Sequence, residues 1–74
     1  MARLIRMDQT GHTTVAEWDA TDPATVEAAA AALRAELDAG YYAVISQGEG
    51  RAEQVRELPA DAELVILRRP IAGG

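Results

Sequence analysis

The chain has no cysteine, which excludes disulfides, thiolate metal sites and any chemistry by a thiol of its own. It has no lysine either, so its seven basic residues are all arginine. Phenylalanine is also missing, and Trp18, Tyr41 and Tyr42 are the aromatic residues. Twelve acidic residues against seven basic ones leave a formal net charge of −5, which argues against a nucleic-acid binder with its basic stripe. No apolar run approaches the ~18 residues of a membrane span, and no signal peptide opens the chain. A cytoplasmic protein with no membrane partner, monomeric when free, is expected. Its 74 residues make one domain. A body of that size buries only about 60% of its unfolded surface and has a stability of roughly 4–11 kcal/mol.

What is present is organised in short segments. "ARLIRM" reads as a strand, "DQTGH" as turn material around Gly11, and "TTVAEW" as a second strand, together a β-hairpin. Its alternation is poor. Arg3, Ile5 and Met7 share one face, Leu4 and Arg6 the other, and the pattern leaves the inward face open. "TDPATVEAAAAALRAELDAG" is the clearest segment: Asp22 is a natural N-cap, Pro23 fits the first helical position, and Gly40 suits the position past the C-terminus. Val26, Ala30, Leu33 and Leu37 form one helical stripe, which predicts a helix over about residues 23–39.

"YYAVIS" reads as a strand, "QGEG" as a turn, and "RAEQVREL" as a short half-exposed strand stopped by Pro59. "ADA" then leads into "ELVILR". Leu64 to Leu67 are all apolar, so this last strand is covered on both faces or sits centrally. Pro70 ends its ladder, having no N–H to donate. The element order is strand, strand, helix, strand, strand, strand. It predicts a two-layer α+β domain with the helix across one face of the sheet and the last strand in the middle.

The chain then closes on "RRPIAGG". Two glycines at an exposed end add nothing to stability, because glycine loses the most freedom when ordered. At a glycine frequency near 7%, such a pair arises by chance about once in 200 chains, and here it also follows a proline exit. The element order and the segment "LPADAELVILRRPIAGG" together resemble the ubiquitin-like β-grasp family. The likeness is closest to its sulfur-carrier branch, the small subunit of molybdopterin synthase and the sulfur carrier of thiamine synthesis. At residue level it covers about the last quarter: an acidic turn at Asp61, an apolar strand, a proline, two small or apolar residues and the glycine pair.

The resemblance implies a β-grasp domain with a mixed sheet over residues 1–69 and a flexible Gly-Gly tail over residues 70–74. Gly74 would carry the reacting carboxylate and Gly73 would be its required neighbour. Arg68, Arg69, Pro70, Ile71 and Ala72 would form the stem that docks on a partner. That partner is a ubiquitin-activating-type adenylating enzyme, which uses ATP; the chain itself binds no cofactor or metal, supplies no catalytic residue and is no enzyme. The activated terminus would become a thiocarboxylate and pass sulfur to a sulfur-accepting synthase. Glycines without side chains can thread a narrow nucleotide site, and Pro70 stiffens the stem before it docks.

Two other readings stand beside this one. The protein could be a modifier joined through Gly74 to lysines of target proteins, limited to single attachments by its own lack of lysine. It could also be a non-covalent β-grasp interaction module whose glycines are incidental. Arg68 and Arg69, the one adjacent basic pair, meet acidic residues at the enzyme's mouth or simply guard a strand end.

The remaining polar and aromatic residues carry less. Glu49, Glu53, Glu57 and Asp61 fall four apart, but in turn and strand sequence, so they form no helical cluster. His12 lies in a predicted turn without a second histidine and is assigned no metal or general-base role. "GEG" at 48–50 lacks the pattern of a phosphate loop and reads as a hairpin turn. Trp18, Tyr41 and Tyr42 can anchor an interface, although a core this small needs at least some of them for packing.

Overall fold

The computed structural model describes residues 1–8, 11–46 and 50–69. Ala2–Asp8 form β1 and Gly11–Trp18 form β2; helix α1 spans Pro23–Asp38; β3, β4 and β5 span Tyr42–Ser46, Ala52–Val55 and Leu64–Arg68. The strands make one mixed sheet ordered β2-β1-β5-β3-β4, in which β1 and β5 run parallel and the other neighbours antiparallel. The helix packs on one face of it, giving the expected two-layer α+β arrangement. The most apolar strand, β5, lies in the middle.

Both ends of α1 follow from local chemistry. Asp22 is extended, and its carboxylate accepts a hydrogen bond from the Ala24 N–H at 3.1 Å. At the other end Gly40 takes φ +103°, a conformation that side chains resist. There the Gly40 N–H donates to the Leu37 carbonyl and the Tyr41 N–H to the Glu36 carbonyl, both at 3.1 Å. This paired closure satisfies carbonyls that the helix leaves open. It also delivers Tyr41 directly beside Glu36.

Leu4, Trp18, Ala43, Val65 and Leu67 from the sheet meet Ala29 and Leu33 from the helix in one buried cluster. Leu33 lies at the centre of the predicted stripe, while Val26, Ala30 and Leu37 are half-buried and Ala29 turns more fully inward. The Trp18 indole N–H donates to the Ala60 carbonyl at 3.1 Å, so this aromatic packs the core and ties down the loop before β5.

Two expectations need correction, and one irregularity is added to them. The hairpin strands run on until Asp8 pairs with Gly11, so Gly11 opens β2 at φ +123° and does not centre the turn. The connecting residues 9 and 10 lie outside the described residues. Leu4 pairs with Ala16 but Ile5 with Thr14, which leaves Val15 as an extra residue on β2. Such a bulge bends an edge strand and blurs its alternation. Finally, β4 holds only Ala52–Val55 of the predicted 51–58, and Arg56 and Glu57 bend away before Pro59 is reached. With Ala52, Glu53 and Gln54 all exposed, this edge has too little to bury to continue. Of the predicted "QGEG" turn, residues 47–49 lie outside the described residues.

Candidate functional site

Strand β5 is hydrogen-bonded between β1 and β3 and ends at Arg68, with Arg69 following. The predicted site residues Pro70, Ile71, Ala72, Gly73 and Gly74 lie outside the described residues. Side chains of a strand alternate between faces, so Arg68 and Arg69 diverge although they are adjacent in sequence. Arg68 is paired with Tyr42 across the ladder. Arg69 continues the row of Val65 and Leu67 on the helix side, and its guanidinium carbon lies 5.6 Å from the centroid of the Tyr41 ring.

Tyr41 has a second cation beside it. The Arg6 guanidinium carbon stands 5.8 Å from the same ring centroid, and its Nη1 donates to Glu36 Oε1 at 3.2 Å. Both guanidinium distances fall within the reach of a cation–π contact. Arg6 thus sits on the helix side, in the row of Leu4, because Glu36 neutralises it and Tyr41 receives its flat surface. Sequence reasoning missed this cluster, since its members are brought together from β1, α1 and the residue before β3.

The opposite face of the sheet is different. Cross-strand register puts Arg3, Ile5, Leu64, Ile66, Arg68, Tyr42 and Val44 together there, with Met7 opposite His12. Among the described residues no helix or strand covers this face. Leu64 is 41% exposed and Met7 40%, while Val44, Ile66 and Tyr42 are half-buried. Its charged residues include Arg3, opposite Glu17, and Arg68, whereas Glu27, Glu36 and Asp38 lie on the helix. The apolar strip is bordered by charges of both signs, Arg3 and Arg68 together with Glu17 and Glu63.

Other candidates do not assemble into a site. An open groove of about 690 Å³ runs past Trp18, Asp19, Ala60 and Glu63 to Ile5 and His12. Among the described residues no three His, Asp or Glu side chains converge to hold a metal ion. The Asp19 carboxyl is held below its ordinary range by the Thr21 N–H and hydroxyl, which donate to it at 2.9 and 2.7 Å. These bonds close the turn into α1, where Thr25 also binds the Asp19 backbone. Glu53, Glu57 and Asp61 follow one another on a strand, a bend and a turn, and Glu49 lies outside the described residues. Comparison with protein families, curated proteins and solved structures finds no match for the chain.

Proposed function

We propose that the chain is a ubiquitin-like β-grasp sulfur carrier whose Gly74 carboxylate is adenylated by a partner enzyme and converted to a thiocarboxylate. The observation that carries this reading is the course of β5. A central strand, fixed on both sides by β1 and β3, runs straight into the sequence Pro70-Ile71-Ala72-Gly73-Gly74. A rigid body thereby carries a terminus whose last two residues have no side chain to obstruct entry into a nucleotide site.

The chemistry is that of a carboxylate at a partner's active centre. A carboxylate oxygen of Gly74 attacks the α-phosphorus of ATP, pyrophosphate leaves, and an acyl-adenylate forms. Hydrosulfide then adds to the acyl carbon, AMP leaves with its oxygen, and a proton is released to give the thiocarboxylate. The domain's part is to be held in place. The open sheet face offers the area for this: Val44, Leu64 and Ile66 provide apolar contact, and Arg3 and Arg68 can each pair with a carboxylate of the enzyme.

The test is to incubate the protein with ATP, sulfide and an adenylating enzyme of the ubiquitin-activating type. The intact mass should rise by one oxygen-to-sulfur exchange, and appending one alanine after Gly74 should abolish the rise. An unchanged mass in the full system would sink the carrier reading. Gly-Gly remnants on lysines of other proteins in digested cell extract would favour the modifier, and indifference to the added alanine would favour a non-covalent module.

A further inference from the structure

We propose that the open face of the sheet pairs with the same face of a second copy of the chain, so that the free protein exchanges between monomer and dimer. Such a pairing is independent of the carrier chemistry. Three rows of side chains cross the face, in an order fixed by the strand register. The first row holds Glu17, Arg3 and Leu64, with Glu63 beside it. The second holds Ile5, Ile66 and Val44. The third, one step further along the same register, holds Met7, Arg68 and Tyr42.

This pattern is complementary to itself. In a two-fold dimer a patch meets its own copy, and two sheets packed face to face keep their strands within about 30° of each other. A two-fold axis running across the strands at Ile66 turns one β5 antiparallel to the other. It lays the first row of each copy over the third row of its partner, and Ile66 meets its own counterpart at the centre. Arg68, exposed at the end of β5, then faces the end of the other copy where Glu63 stands exposed, and the contact is made twice. Met7, 40% exposed, comes over the first row, where the groove along Arg3, Ile5 and Leu64 is open to receive it. Charges of both signs give the face no preference for a wholly acidic or wholly basic surface, and a second copy satisfies both.

The area sets the strength. Five strands about 4.8 Å apart and about 17 Å of β5 give roughly 400 Å² of flat face per copy. That is about half of what each partner contributes to a stable complex. The net charge of −5 on both copies opposes the contact as well. The dimer is therefore weak, half formed at roughly 0.1–1 mM. At low concentration the chain remains the monomer expected of it, and any partner that binds the same face more tightly displaces the second copy.

Sedimentation equilibrium of the purified protein from about 10 µM to about 2 mM tests the pairing. The average mass should rise from that of the 7.9 kDa chain toward twice that value and no further. A mass that stays at one chain throughout would overturn the proposal. So would one that climbs past two, which would mark open-ended pairing through the edge strands β2 and β4. On dilution, NMR shifts should move at Met7, Val44, Leu64 and Ile66 and stay fixed at Ala28 and Ala31, exposed on the helix. The reverse distribution would place the contact on the helix and overturn the assignment.

Charge reversal decides the arrangement. Arg68→Glu and Glu63→Arg change exposed positions, where substitution leaves the fold intact. Each should weaken self-association at least about tenfold, because like charges then oppose one another twice. Mixed in equal amounts, the two variants should associate with each other at wild-type strength, since every reversed residue again meets its opposite. Unchanged self-association in both variants, or no recovery in the mixture, would overturn the two-fold arrangement.

Discussion

The two faces of the sheet are built from the same strands and do opposite things. On the helix side Leu4, Trp18, Ala43, Val65 and Leu67 are fully enclosed by the sheet and α1. On the other side Val44, Leu64 and Ile66 alternate with them along the same backbones, yet no helix or strand of the described residues lies over them; Ile5 beside them is nevertheless buried. A sheet with one solvated face ordinarily alternates apolar and polar residues. Strand β5 does not: its second row, Leu64 and Ile66, is apolar although no helix or strand of the described residues covers it.

The sharpest way to break this comparison is to shorten one side chain on each face of β5. Leu67→Ala should lose about 2–5 kcal/mol, a large part of the total stability of so small a domain. Ile66→Ala, one residue earlier, should lose only about 1 kcal/mol, because its side chain is partly solvated already. Denaturant unfolding measures both. Equal losses would mean that the outer face is covered as completely as the inner one.

A smaller effect isolates the helix side alone. Gly40→Ala meets no neighbouring atom within 4 Å, so its cost is conformational: the residue stands at φ +103°. The expected loss is about 1–2 kcal/mol in thermal or denaturant melts. A neutral result would show that the closure carrying Tyr41 is not under backbone constraint.

The smallest effect concerns acid. The native Asp19 carboxyl titrates below its unfolded counterpart, whose value is about 3.9. Its contribution is complete above that unfolded value and is withdrawn as pH falls through the lowered native one. Asp19→Asn should therefore be less stable than the wild type at pH 7, and the gap should close as melts are repeated toward about pH 2. A gap that is constant with pH would place the effect in the turn's shape and not in its charge.

How much of this was legible beforehand depended on the range of the interaction. The helix ends were readable because Asp22, Pro23 and Gly40 act on backbone within a turn of themselves. The central place of β5 was readable from four successive apolar residues. The inward face of β1 was not, since Arg6 occupies the helix side through a carboxylate 30 residues away in sequence. The bulge at Val15 and the early end of β4 depend on pairing geometry, which composition does not record. At the candidate site, Arg68 and Arg69 read as one basic pair and are two separate groups on opposite faces. Tyr41 carried no local sign of its two cations.

The place of β5 has a bearing on how the molecule is made. Without that strand the sheet falls into two hairpins, β2 with β1 and β3 with β4, joined only through the helix. Synthesis proceeds from the amino end, so the sheet closes only after the final segment has emerged, by pairing β1 with a partner some sixty positions downstream. A polypeptide terminated before Leu64 lacks the central strand that joins the two hairpins. Folding thus acts as an inspection: any copy that acquires the complete sheet has been translated at least through Arg68.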